Sequence, residues 1–306
     1  MQGMQFDLDE IYSQSIMTKR PSILVEGVDD IAVYDRIVNA NGKQAEVIAI
    51  ETIEGFSKGC NSVIDAVNFL KDIPVSRYEP SDYILGIIDK DVRDFRGEVP
   101  ENNLLLILDV YSIENHFVNS EVVVQLLKTC TKGTSELFTD SLKDKLLSEC
   151  VSSMELLFLA SLEALKGALD SNYFADFSYC QKYGRLKDIG LASRLRDKKN
   201  ELYSFASTLS LSDDLDSLKK IAKGKWLLSI FCEELERVIK NLPEQCGVDP
   251  IKKCQMCVSE VENSCLYRIS EGFSHKTMRE IAKQQYDTNE ISYIRERVAT
   301  IARRIA

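Results

Sequence analysis

Ser22-Ile23-Leu24-Val25-Glu26-Gly27 and Asp82-Tyr83-Ile84-Leu85-Gly86-Ile87-Ile88-Asp89-Lys90-Asp91 are the two stretches whose reading decides the fold. Each is a short apolar run that ends on acid. Apolar residues at every position, rather than at alternate ones, suit a strand covered on both faces, as in a parallel sheet flanked by helices. Helical spacing predicts a helix over 29–40 after the first run, then a strand over 45–50 and a helix over 60–71. The second run gives a strand over 83–89, and Leu104-Leu105-Leu106-Ile107-Leu108 gives another over 103–109. This alternation predicts an α/β fold with a parallel sheet. Leu8, Ile11, Tyr12 and Ile16 add a helix over 7–17, closed by Pro21. Asn41-Gly42 is read as the end of the helix over 29–40, and Gly55 and Gly59 as brackets of the loop before the next.

From about residue 114 the strand signal fades. Val122-Val123-Val124-Gln125-Leu126-Leu127 opens a series of helical patterns over 139–149, 152–169, 192–208, 212–222, 225–241 and 275–305. The expected organisation is therefore an α/β domain over 1–115 and an all-helical module over 116–306.

With 306 residues and 44% hydrophobic content, the chain can bury a large core. No apolar run reaches the length of a membrane span, and Met1-Gln2-Gly3-Met4-Gln5-Phe6-Asp7 lacks a signal-peptide pattern, so a cytoplasmic protein without membrane contact is expected. Nine cysteines, an odd number spread over helical patterns, fit reduced thiols better than a disulfide framework. The net charge of −10 argues against a protein that coats nucleic acid through its overall field, although a local basic patch could still hold a polyanion.

The acidic strand ends carry the chemistry. Carboxylates at the carboxyl ends of neighbouring parallel strands converge on one crevice, and Glu26, Asp89 and Asp91 there predict a divalent-metal site. Asp89 and Asp91, two apart, would point the same way if strand alternation persists, leaving Lys90 pointing away. Mg2+, or Mn2+ in its place, suits such open oxygen ligation and phosphodiester chemistry, with Glu26 as an alternative general acid or base. The bland reading is that acids at strand ends simply cap helices.

Glu-Gly after a first strand followed by Asp-x-Asp after a third resembles the Toprim domain of topoisomerases, bacterial primases and the overcoming-lysogenisation-defect nucleases. The resemblance covers about residues 20 to 115. It implies Glu26 as general acid or base that can touch metal, and Asp89 and Asp91 as metal ligands. Arg93 stands where many topoisomerase versions carry a third acid, leaving Asp94 or Glu114 to fill that place. Ile113-Glu114-Asn115-His116-Phe117 after the fourth strand, followed by a helical half, is similar to Toprim effectors encoded beside an ABC-type ATPase in bacterial anti-phage systems. That likeness implies a metal-dependent endoribonuclease acting on host tRNA, restrained by the ATPase partner and working as a homodimer when released, with Glu114 added to the catalytic set. The helical module would then serve dimerisation, partner docking and substrate contacts. A DNA-nicking nuclease with the same site, or a non-enzymatic phosphoacceptor-like module, are the competing readings.

Several further residues invite a role. Lys90, Arg93, Lys223 and Lys225 are candidate substrate contacts, the last two because Lys223-Gly224-Lys225-Trp226 combines close backbone approach with a ring able to stack on a base. Trp226 followed by Leu227 and Leu228 also reads as core. Arg194, Arg196, Lys198 and Lys199, the lysines at 219 and 220, and Arg295, Arg297, Arg303 and Arg304 read as solvated helix faces. Glu114 and Asn115 are candidate helix caps, and His116 a structural histidine. Lys58 between Gly55 and Gly59 lacks the Walker pattern, which excludes that nucleotide-binding loop. Cys246, Cys254, Cys257 and Cys265 contain one C-x2-C pair with zinc spacing, but the flanking singletons are not a usual second knuckle, which favours buried free thiols.

Overall fold

Strands β1 (Ser22–Val25), β2 (Glu46–Ala49), β3 (Ile84–Ile88) and β4 (Leu105–Ile107) form an all-parallel sheet in the order β2-β1-β3-β4. The structure is a computed structural model that describes residues 6–40, 42–73 and 77–305. The reading of residues 1–5 as lacking a leader pattern, and of Asn41 as part of a helix end, falls outside the described residues. Leu24 sits opposite both Ile48 of β2 and Gly86 of β3, so β1 is paired on both sides. Burial follows position in the sheet. The central strands β1 and β3 are buried along their whole length, as their unbroken apolar runs predict, whereas the edge strand β2 begins on exposed Glu46.

Helices α1 (Leu8–Thr18), α2 (Val28–Val38) and α3 (Cys60–Lys71) surround this sheet, and a single turn, α4 (Arg93–Arg96), follows β3. Helix α1 starts with a reciprocal capping box in which the Asp7 carboxylate accepts from the Glu10 N–H and the Glu10 carboxylate from that of Asp7. Its apolar stripe, Leu8, Ile11 and Tyr12, joins Val63, Val67 and Leu70 of α3 in one buried cluster. Helix α2 ends at Val38, where the Asn39 side chain accepts from the Gln44 and Ala45 N–H groups. Gly55 and Gly59 both hold φ values in the left-handed region, at 87° and 117°, and bracket the loop before α3 as expected.

The remaining helices are α5 (Ser120–Cys130), α6 (Asp140–Ser152), α7 (Glu155–Leu169), α8 (Ile189–Asp197), α9 (Lys199–Thr208), α10 (Leu215–Ile221), α11 (Gly224–Asn241), α12 (Gln255–Val258), α13 (His275–Ala282) and α14 (Ser292–Ile305). Two of the long patterns break. The pattern over 192–208 divides at Lys198, whose ammonium pairs with Glu163 and Asp176. The pattern over 275–305 divides after Ala282. There the polar run Gln284–Asn289 offers side chains that compete with helical hydrogen bonds, and Arg295 donates to the carbonyl of Tyr286.

The chain forms two compact units, one of Met1–Asp109 with Tyr286–Ala306 and the other of Val110–Gln285. This differs from a division at 115/116, because the last helix returns to the sheet unit. Ile294, Val298 and Ile301 of α14 share one face and are fully buried, Arg297 donates to the Asn103 carbonyl at 2.6 Å, and Arg304 pairs with Asp82 at 3.2 Å. The second unit is helical throughout its described residues apart from turns and loops. Its α7 is buried nearly all round, and Glu163 within it, fully buried, accepts from Lys198, from the Tyr173 hydroxyl and from the Asp176 N–H. A buried carboxylate is tolerable because those donors replace its hydration. No helix among the described residues is long and apolar enough to cross a membrane.

Gly86 lets α3 lie against β3. A Cβ there would stand 2.8 Å from Val63 Cγ1, 2.9 Å from Val67 Cγ1 and 3.1 Å from Leu105 Cδ1. Gly86→Ala is therefore expected to lower stability by about 1–3 kcal/mol through overpacking, read as a reduced midpoint in urea denaturation.

Candidate active site at the strand ends

The connection from β1 runs to β2 on one side, and the chain then crosses back to place β3 on the other side of β1. The carboxyl ends of β1 and β3 thus flank a topological switch point, where the crevice outside an open parallel sheet receives ligands. Glu26 follows β1 and Asp89 follows β3 directly. Glu26 Oε1 accepts the Asp89 backbone N–H at 2.9 Å, tying the two strand ends together.

Glu26 is largely buried, and its pKa is pushed up from 4.5 to about 7, chiefly by that burial. The Asp89 N–H pulls the other way, while the charges of Asp91 and Asp30 raise it further and Arg93 opposes them. A carboxyl poised near neutrality can both take and give a proton, the property a general acid or base needs. Asp91 sits at φ 50°, in the left-handed region that Asp tolerates better than most residues. β3 ends at Ile88, so the alternation expected to carry Asp89 and Asp91 in one direction does not extend through them. Lys90 pairs with Asp94.

Arg93 turns inward at the start of α4. Its Nη2 donates to the Cys60 sulfur at 2.6 Å, and its buried Nε has no hydrogen-bond partner. A buried orphan donor beside carboxylates is the kind of group a phosphate oxygen satisfies. The departure at 93 thus places a cation in the acidic crevice, and Cys60, which sequence reading did not single out, steadies it.

Further members of the site were not singled out from sequence. Glu51 Oε1 accepts from the Val28 N–H at the start of α2, Asp29 pairs with Lys58 at 3.2 Å, and Asp30 acts electrostatically on Glu26. Lys58 fills the space beside Gly27: a Cβ at Gly27 would stand 2.7 Å from Lys58 Cε. Tyr34 is buried nearby, and burial together with Asp89 and Asp30 raises its pKa well above the ordinary value. Tyr293, at the start of α14, receives the Asp109 N–H on its hydroxyl at 3.1 Å. Only closure of the chain's end onto the sheet unit could reveal that residue.

Among the described residues, the one group of three or more His, Cys, Asp or Glu side chains with ligand atoms at metal-binding mutual distances is the cysteine quartet Cys246, Cys254, Cys257 and Cys265. Glu26, Asp89 and Asp91 do not form a closed cage. The donor set nevertheless fits Mg2+. All its groups are hard oxygens, the mutual repulsion that helps raise Glu26 is what a cation relieves, and Mg2+ ordinarily takes only one or two carboxylates with water and substrate phosphate.

The other candidates lie in the helical unit. Ile113–Phe117 is a 3-10 turn preceded by Ser112, so Glu114 and Asn115 do not cap a helix. Asn115 is fully buried and donates to the carbonyls of Lys219 and Ala222, both at 2.9 Å, while the Ser112 hydroxyl donates to Glu114 at 2.9 Å. Gly224 permits the close approach, but of this turn rather than of a ligand, since a Cβ there would stand 2.1 Å from Ser112 Oγ and 2.5 Å from Asn115 Oδ1. Trp226 is core: it is 2% exposed and donates its indole N–H to the Gln181 carbonyl. Lys223 donates to the Tyr179 carbonyl, and both it and exposed Lys225 border a cavity of about 570 Å3 with Glu114, Arg279 and Lys283. Arg194, Lys198 and Lys199 are ion-paired with Asp176, Glu163 and Glu155. His116 is buried, and burial followed by the Lys219 charge lowers its pKa to about 4, so it is neutral at pH 7.

The chain matches no protein-family model, and no curated protein matches it.

Two substitutions test this geometry. Below pH 4.5 Glu26 is protonated in both folded and unfolded chains; as pH rises through about 7 the folded chain must bury a charge, and stability is lost. Glu26→Gln cannot ionise, so in chelator it should exceed wild type above pH 7 by on the order of 3 kcal/mol in urea denaturation, the gap closing toward pH 4.5. Asn115→Ala removes the donor from the Ala222 carbonyl, while the Lys219 carbonyl keeps the Tyr111 N–H, and should cost about 1–3 kcal/mol at any pH in the same assay.

Proposed function

We propose that the chain is a divalent-metal-dependent endonuclease of the Toprim type that hydrolyses RNA phosphodiesters. The observation that carries this reading is the Glu26 carboxylate bonded across the β1–β3 switch point to the Asp89 N–H, with Asp91 and the inward Arg93 around it. The order of these residues, Glu-Gly after β1 and Asp-x-Asp after β3, and the helical second unit support it. Glu26 would exchange the proton, Asp89 and Asp91 would supply oxygens to Mg2+ or Mn2+, and the Arg93 guanidinium would hold a substrate phosphate. The metal, when bound, polarises the phosphodiester and stabilises the charge that develops on it. Water would be the nucleophile, and Glu26, with its pKa raised to about 7, would accept its proton.

In motif order the chain resembles AriB, the Toprim effector of the PARIS anti-phage system. On that resemblance rest host tRNA as substrate, restraint by an ABC-type ATPase, a homodimer on release and a cytoplasmic setting. Such a protein would be a toxin that aborts infection. Lys90, already paired with Asp94, is a weaker substrate contact than Arg93, and Glu114 with Lys223 and Lys225 belongs to the cavity of the helical unit.

Purified full-length protein should cleave tRNA in Mg2+ and stop in EDTA. Glu26→Ala should lower the rate by about 10²–10⁴-fold while circular dichroism and partner co-purification stay unchanged. Cleavage of supercoiled plasmid in preference to tRNA would make it a DNA nuclease, and full activity in Glu26→Ala would overturn the site.

A further inference from the structure

We propose that Cys246, Cys254, Cys257 and Cys265 bind one structural Zn2+ ion that holds together the segment between α11 and α13. The four sulfurs all lie within 4.8 Å of one another. Cys254 Sγ and Cys265 Sγ are 3.8 Å apart. A tetrahedron with metal–sulfur bonds of about 2.3 Å has edges of about 3.8 Å, so this pair already stands at ligand spacing. It is far beyond the roughly 2.05 Å of a disulfide, and all four residues are free thiols. An all-sulfur tetrahedral set selects a soft or borderline ion such as zinc.

The surroundings suit thiolates. The Cys254 N–H donates to Cys246 Sγ at 3.2 Å, and the Leu266 N–H donates to Cys254 Sγ at 3.4 Å, so backbone dipoles point at sulfur. Three of the four residues are buried, which shields the centre from solvent and competing ligands. The segment also needs a staple. Between α11 and α13 its only regular structure is single helical turns, among them α12, and it leaves Val248, Val258 and Val261 exposed at 61%, 63% and 44%. So short a segment, whose buried apolar residues besides the cysteines are Leu242, Ile251 and Tyr267, is where structural zinc supplies folding energy. The C-x2-C turn at 254–257 brings two sulfurs together locally. Gly247, at φ 97°, turns the chain after Cys246, and the remaining ligands arrive from opposite ends of the segment. On binding, the ion takes four thiolates and their protons pass to solvent; no electron is transferred.

This inference is independent of the nuclease reading. Full-length protein purified without chelator and desalted should carry one zinc per chain by elemental analysis, and Cys254→Ser and Cys265→Ser should lose it. Cys180→Ser, at an exposed cysteine outside the cluster, should retain it. Should the cluster variants fail to fold, wild type still decides: zinc stripped by a strong chelator should expose 243–273 to limited proteolysis, and added Zn2+ should restore resistance. Cobalt put in its place should give the intense visible bands of tetrahedral thiolate coordination. Substoichiometric zinc after growth with added zinc, a different stoichiometric metal, or a disulfide among these cysteines by intact mass would overturn the proposal.

Discussion

Parallel pairing of β1 with β3, with β2 on the other flank of β1, is the constraint on which the sheet unit depends. Parallel strands cannot be joined by a tight turn, so each step between them needs a crossover, and the direction reversal leaves a crevice at the carboxyl ends. Everything chemical in this unit gathers there because the chain must turn there. Residues that leave a buried strand need polar partners for their backbone groups, and Glu26 provides one for the Asp89 N–H.

That arrangement has a cost in stability that a catalyst can use. A carboxylate half-withdrawn from water and crowded by Asp91 and Asp30 resists ionisation, and the Arg93 charge only partly offsets this. The folded chain therefore holds Glu26 near the middle of its titration at neutral pH, whereas a solvated Glu would be fully ionised. Strained or frustrated electrostatics of this sort collects where function needs it. Glu163 is the contrast: its buried charge is met by Lys198, a tyrosine hydroxyl and a backbone N–H.

The same contrast separates residues that look alike in sequence. Trp226 and the glycine two before it suggested a base-stacking platform, yet the ring fills the core and Gly224 serves to admit the Ser112–Asn115 turn. Arg194 and Lys199 lie on the solvated face that the sequence suggests, each beside an acid, whereas Lys198 is half-buried against Glu163. Composition and spacing report what a side chain is able to do; its neighbours decide which option is used.

The sequence by itself determined the parallel strands, their order of acids and most helices, because unbroken apolar runs and 3.6-residue periodicity are local signals of burial. It placed Glu26 and Asp89 at strand ends within a residue. Only the tertiary structure decided that Arg93 faces inward beside Cys60 and that Asp91 leaves the strand direction. It likewise decided that α14 returns to the sheet unit with Tyr293, and that cysteines nineteen residues apart meet in one cluster. These depend on contacts between segments distant along the chain, for which a one-dimensional pattern carries no distance information. Zinc spacing in particular is legible only where both ligand pairs are local, and here one of the two is assembled by folding.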